Sequence, residues 1–349
     1  MFEDAQVKLR DMTEERSTIS HLSVAMTTKD DNRTQSVSGN LRTIDQFHMQ
    51  WVVVVIGVVG TVGNALILYA LVASKQHKKY VLIFNQNALD LFSSFNLIIS
   101  FAVKLCNIQL AGALGYWLCI AFYSEIFVWW GLIGSVVNLA IITIDRYLKV
   151  IHHTWRKTSL RPWMINSAMA FAWFVGIVSN TPFMLATSGL IDGECYTWIL
   201  YHSRAGRISS LVWYVVSFYI IILVIFVYCY GRILAAIRRQ ARVAANQSTA
   251  GASTCQSQLN PIQSSVIKTM LLVSAFYAIA WLPVNIYHLS VMLDQNLTYF
   301  SSYYYASMFV AFLYTCTNPF IYALEFHPVK QILRDMIPCK NESVQPTIG

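Results

Sequence analysis

From Ile126 to Val150 the chain reads IFVWWGLIGSVVNLAIITIDRYLKV, and no residue between Ile126 and Ile144 is charged. Three polar residues, Asp145, Arg146 and Tyr147, then arrive together. About 20 mostly apolar residues are needed for a helix to cross roughly 30 Å of hydrocarbon. The uncharged run therefore reads as a membrane-spanning helix, and the triplet as its arrival at a watery interface.

Working outward, the same pattern recurs. Residues 46–74, 162–191, 208–231, 269–293 and 295–324 contain no Asp, Glu, Lys or Arg. Residues 80–103 contain only Asp90. Residues 105–144 contain only Glu125, and Gly112 and Gly115 mark their first part as loop. Seven spans result, which predicts an all-α membrane protein: a seven-transmembrane helix bundle. Composition agrees, since 56% of the 349 residues are hydrophobic and 12% charged, with a mean hydropathy of +0.49. Soluble chains carry about 25% charged residues.

Basic residues orient the bundle. With the N-terminus outside, Lys75, Lys78, Lys79, Lys149, Arg238 and Arg239 are among many that face the cytoplasm, against only Lys104, Arg204 and Arg207 in the outer loops. That is a positive-inside pattern, and it predicts a multi-pass plasma-membrane protein with an extracellular N-terminus. The pI of 9.1 then reflects topology and lipid headgroups. A nucleic-acid partner is not expected, because the basic residues are divided among separate short loops.

Three regions follow. Residues 1–48 are polar, lack the apolar core of a signal peptide, and are expected to form a disordered extracellular tail. In it, Asn32-Arg33-Thr34 is a glycosylation acceptor triplet. Residues 49–338 hold the bundle and a short amphipathic helix, in which Phe326, Val329, Ile332, Leu333 and Met336 recur at helical spacing opposite Lys330 and Arg334. Residues 339–349 form a cytoplasmic tail, and Cys339 is placed either for a palmitoyl anchor or as a free thiol.

The out-of-place residues carry the function. A carboxylate at mid-span costs roughly 2.5–3.5 kcal/mol on insertion scales, so Asp90 needs partners. Asn64 in span one, Ser135 in span three and Asn318 in span seven lie at compatible depths. Such a knot suits a sodium ion or a proton, or is purely structural. Arg146 is neutralised by its neighbour Asp145 while keeping a planar fork for capture elsewhere, which suits a switch. Pro283 and Pro319 each remove an intrahelical hydrogen bond and kink their helices at mid-depth.

Together these residues form a signature. Asn64, Asp90, Asp145-Arg146-Tyr147, Trp173, Trp281-Leu282-Pro283 and Asn318-Pro319-Phe320-Ile321-Tyr322 fall one set per span, in order. Over about residues 49–338 the chain resembles the rhodopsin-like (class A) G-protein-coupled receptors. The resemblance implies an extracellular ligand, a heterotrimeric G protein on the inside, and no catalysis by the bundle itself. It makes Arg146 the switch arginine, Asp90 the sodium-site carboxylate and Trp281 the toggle beneath the ligand. Asn318, Pro319 and Tyr322 become the hinge of span seven, and Tyr230 the inner tyrosine of span five. The resemblance also pairs Cys119 with Cys195, with Cys106 as the rival partner.

Departures accompany it. Span five has no proline near Ile222, Ala280 replaces the usual cysteine, and Tyr277 replaces the usual phenylalanine. Cys119 lies about two residues early, with Ala121 in its expected slot. Gln263 stands where some relatives carry an acid that locks the arginine, which predicts measurable ligand-free signalling.

The ligand is less legible. The position of the amine-binding aspartate falls on Val128, which argues against an amine. Span seven has no lysine, and Phe312 occupies the place from which opsins bind retinal, so no retinal is expected. Glu125 lies near a pocket expected to gather Val128, Trp129, Tyr214, Trp281, Asn285, His288, Tyr304, Met308 and Phe312. It either pairs with a basic group of a peptide or faces a watery vestibule. The look of residues 145–151 and 281–287 favours a peptide ligand. Two alternatives stand beside the receptor reading. A transporter or channel needs several ionisable groups at mid-depth, where only Asp90 is available. A scavenging receptor that binds without coupling tends to lose the Asp145-Arg146-Tyr147 triplet, which is intact here.

Overall fold

In the computed structural model the described residues are 31–106, 108–151, 162–197, 204–248, 261–293 and 302–336. The chain divides into two units, Met1–Met49 and Gln50–Gly349. In the first unit the described residues are helical, as part of the helix Asp31–Ala73, where the sequence leads one to expect an unfolded tail. Asp31–Ala73 contains no proline, and once a helix is nucleated each added residue gains a hydrogen bond.

Among the described residues, seven helical stretches are long and apolar enough to cross a membrane: Phe47–Ala73, Val81–Leu105, Gly112–Ile151, Pro162–Thr187, Ala205–Arg239, Ser265–Ser290 and Tyr303–Glu325. A further short helix, His327–Met336, follows the seventh. It buries Val329 and Ile332 and exposes Arg334, as its amphipathic pattern requires.

The bundle exposes apolar side chains on its surface and holds a polar set inside a mostly apolar core. Val227 and Ile279 are 74% and 68% exposed, while Asn64, Asp90, Ser135 and Asn318 are fully buried. That inversion suits hydrocarbon as the solvent, where unsatisfied polar groups must find partners inside the protein. Small residues let the spans close on one another. A Cβ on Gly131 would lie 2.9 Å from the Leu89 carbonyl oxygen, and one on Gly134 3.2 Å from that of Ala172, so spans two and four both press against the backbone of span three.

Span three departs from expectation at its outer end. Gly112–Leu118 is a helix and not a loop. Gly112 enters it with φ +58°, and Gly115 is buried, where a Cβ would come within 2.8 Å of the Leu110 backbone. These glycines serve a tight entry and a close approach, so they do not mark irregular chain. The segment Cys119–Tyr123 then winds as π-helix, and Glu125, with φ 60°, breaks the axis before Ile126–Ile151. Span five carries a second π-helical turn, Val216–Ile220, close to where its proline is missing.

Candidate functional site

Between spans four and five lies a hairpin. Gly189–Ile191 pairs antiparallel with Glu194–Tyr196 through a turn at Asp192 and Gly193, with φ values of 51° and 83°. An Asp-Gly pair with both residues at positive φ is the tight-turn chemistry such a hairpin needs. Leu190 faces Cys195, and a disulfide joins Cys195 to Cys119 with a Cα–Cα distance of 5.5 Å. Cys106 is exposed and unpaired. The two-residue displacement of Cys119 now has a cause: a π-turn takes more residues than an α-turn, and the break at Glu125 resets the phase.

Glu125 forms an ion pair with Lys104, whose ammonium also lies 4.4 Å from the centre of the Phe101 ring. Its charge is thus committed to a partner on span two. Sequence reading placed Lys104 in an outer loop and missed the pair, because span two continues as helix to Leu105.

A small cavity lies among spans three, five and six. It is lined by Leu132, Ile133 and Val136 of span three, Tyr214, Phe218 and Tyr219 of span five, and Tyr277, Trp281 and Asn285 of span six. Val128, Trp129, Met308 and Phe312 are instead packed in the core, and Phe312 meets Phe101 edge to face. His288 stacks on Tyr214 at 6.4 Å, and Tyr304 lies against Tyr287.

An aromatic series runs inward from here. Tyr214 contacts Trp129, Trp129 contacts Trp281, Trp281 contacts Tyr277 and Tyr277 contacts Tyr314, with centroid distances of 6.0, 6.1, 6.0 and 5.6 Å. Two cross-ties brace its middle. The Tyr277 hydroxyl donates to the Phe218 carbonyl, and Tyr219 donates to the Ala278 carbonyl at 2.9 Å. Phe218 lies within the π-turn, so the tyrosine that departs from the family pattern binds the span segment that lacks the family proline.

The series ends at a buried polar cluster. The Tyr314 hydroxyl is 3.4 Å from both Gln86 Nε2 and Ser135 Oγ. Ser135 donates to Asp90 Oδ1 at 2.6 Å, and Asn318 donates to Asp90 Oδ2 at 2.7 Å. Asn64 donates to the Gly60 and Thr315 carbonyls, tying span one to span seven. Gln86 and Tyr314 escaped sequence reading. A glutamine one turn from Asp90, in a span with Asn85 and Asn87 on either side of it, was the signal available for the first.

Near the C-terminal end of span three Asp145 forms an ion pair with Lys149 at 2.8 Å and lies 3.4 Å from Arg146 Nε. Lys149 was not foreseen as a third member. Tyr147 sits against Tyr228 at 5.7 Å. The Tyr230 hydroxyl is 3.2 Å from Thr143 and 3.2 Å from Ser274, joining spans three, five and six. Tyr322 is fully buried against Phe326. Span six is also tied to span seven: Ser265 donates to the Glu325 carbonyl at 2.7 Å, and Lys268 pairs with the Glu325 carboxylate at 2.7 Å. The side chains of Gln263 and Asn32, and all of Cys339, lie outside the described residues.

Seven apolar spans, a disulfide-tethered hairpin, an aromatic cavity and a charged triplet on span three make the chain a seven-helix membrane protein. The family model of the 7 transmembrane receptor (rhodopsin family) matches residues 63–322, and the chain belongs to that family. It is similar to melanopsin-A of Gadus morhua, 27% identical over 82% of this chain and 51% of that protein. It is also similar to melatonin receptor type 1B of Mus musculus, 24% identical over 55% of this chain and 51% of that receptor. With galanin receptor type 1 of Rattus norvegicus it shares 22% identity over 81% of each chain. The chain spans about half the length of the first of these relatives.

Proposed function

We propose that the chain binds an extracellular ligand at the aromatic cavity and converts that binding into activation of a heterotrimeric G protein on the cytoplasmic side. The observation that carries this reading is the unbroken series of ring contacts from Tyr214 through Trp281 and Tyr277 to Tyr314, ending on the Asp90 cluster. Binding selects between two packings of one bundle, so a ligand acts only through a difference in affinity for the two. Moving Trp281 shifts Tyr277, and with it both cross-ties between spans five and six. The inner half of span six, kinked at Pro283, then swings away from Tyr230 and Glu325 and bares Arg146.

A peptide is the ligand this reading favours, and one of its side chains would have to widen the cavity, which as it stands has room for about one water. The lining is mostly apolar and aromatic, with Asn285 as a polar anchor, and the Lys104–Glu125 pair precedes the cavity's span-three wall in sequence. A peptide offers an aromatic or aliphatic side chain to the lining and a backbone or charged group to the pair. The buried Val128 supplies no counter-ion for an amine. Span seven has no lysine for a retinal Schiff base. The N-terminus lies outside, with Asn32 glycosylated in the secretory pathway. Cells carrying reporters for each G-protein class, challenged with peptide, lipid and amine libraries, test the reading. A response to a peptide that Arg146→Ala abolishes is expected. Silence to every library, with surface expression verified, overturns it.

A further inference from the structure

The family resemblance implies a sodium ion at Asp90, and the donor set around that carboxylate does not suit one. We propose that Asp90 takes no cation in this chain, because the side-chain amide of Gln86 fills that role and aims N–H donors where an ion needs oxygens.

The direction of this amide follows from a relay that starts on span four. The Trp173 indole N–H can only donate, and it donates to Asn85 Oδ1 at 3.1 Å. That leaves Asn85 Nδ2 to donate to Asn138 Oδ1 at 2.9 Å. Asn138 Nδ2 is then the atom that donates to Gln86 Oε1, at 2.8 Å, and to the Leu82 carbonyl at 3.0 Å. With its oxygen engaged, Gln86 turns its NH2 group toward Ser135 Oγ, Asp90 Oδ2 and the Tyr314 hydroxyl. Reversing any one amide in the relay sets two donors or two acceptors against each other. Amide orientation is otherwise a matter of assignment, and here an indole that has no acceptor settles it.

Hard cations are held by converging oxygen lone pairs. At Asp90 both oxygens already accept protein donors: Ser135 on Oδ1, and Asn318 and Gln86 on Oδ2. The Ser135 hydroxyl directs its hydrogen at Asp90 and accepts from Gln86. Asn64 Oδ1 and Asn318 Oδ1 have no protein hydrogen-bond donor, and two open oxygens are by themselves too few to surround a hard cation, which gathers about six. Gln86, Asp90, Ser135, Asn138 and Asn318 are all fully buried, so an ion entering this cluster meets positive amide hydrogens in low-dielectric surroundings, where their repulsion is strengthened.

The test uses purified full-length receptor in nanodiscs of zwitterionic lipid, without ligand or G protein, so its failure leaves the proposed function standing. Melting is followed in sodium chloride and in N-methylglucamine chloride at equal ionic strength. The wild-type midpoint is expected to be the same in both. Gln86→Leu, which removes the donors and leaves the Asp90 and Ser135 oxygens, is expected to gain a sodium-dependent rise that Gln86→Leu/Asp90→Asn lacks. A wild-type midpoint that rises in sodium, and no longer does so in Asp90→Asn, overturns the proposal. A cooperatively melting Gln86→Leu with no sodium response overturns the part given to Gln86. Should that variant not fold, sodium NMR on the wild type decides. A line as narrow as that of Asp90→Asn is expected, and broadening confined to the wild type contradicts the proposal.

Discussion

At Tyr277 a single hydroxyl distinguishes this chain from the phenylalanine common at that position, and it binds the Phe218 carbonyl inside a π-turn. Tyr277→Phe leaves that carbonyl without its partner. The loss should destabilise the bundle by about 1 kcal/mol, the net worth of one such bond. A lower thermal midpoint in detergent, with expression retained, is the expected reading, and an unchanged midpoint counts against the cross-tie. Cys119→Ser and Cys195→Ser should each lower stability by roughly 2–4 kcal/mol, because one bond holds the hairpin over span three. The two variants should lose surface expression to the same degree, as read by flow cytometry on intact cells. Unequal losses would indicate that one cysteine matters apart from the disulfide.

At the scale of elements, the inner ends of spans six and seven are joined by Ser265 and Lys268 to Glu325. The pair is partly exposed, with side chains 64% and 35% accessible, so its worth is about 0.2–1 kcal/mol. Lys268→Ala should therefore raise ligand-free signalling roughly 1.4- to 5-fold, and the charge exchange Lys268→Glu with Glu325→Lys should restore the wild-type level. A basal reporter signal that Lys268→Ala leaves unchanged would remove the pair from the switch. Gln263 alone pointed to a loosely held span six. The tie through Glu325 was not legible, because it joins residues from two segments far apart in sequence. What was legible depended on period and charge. The spans announced themselves as uncharged runs, and Asp90, Trp281 and Asn318 by being out of place in them. The π-turns at Cys119–Tyr123 and Val216–Ile220 have no such signature, since they are set by what packs across them. The first lies before the unbroken helix Ile126–Ile151 that carries Ile133 and Val136, whereas the second itself holds Phe218 and Tyr219, which line the cavity.

Across the whole molecule, aromatic rings connect the cavity to the polar cluster and, from Tyr277 through Phe226 to Tyr230 and its partners Thr143 and Ser274, to the inner part of span three that carries Arg146. If rings and cluster act as one unit, Tyr277→Ala and Asn318→Ala should be non-additive in ligand response, because residues sharing a network couple by about 0.5–3 kcal/mol. Additive losses in a double-mutant cycle would mean that the contacts are packing alone. The central claim, that this bundle drives a G protein through its inner triplet, has a direct measurement: nucleotide exchange by purified heterotrimers presented with the receptor in nanodiscs. Wild-type receptor should accelerate exchange by at least one G-protein class above the level seen with Arg146→Ala. Equal rates from the two folded proteins, across every class and with peptide ligand added, would contradict the account.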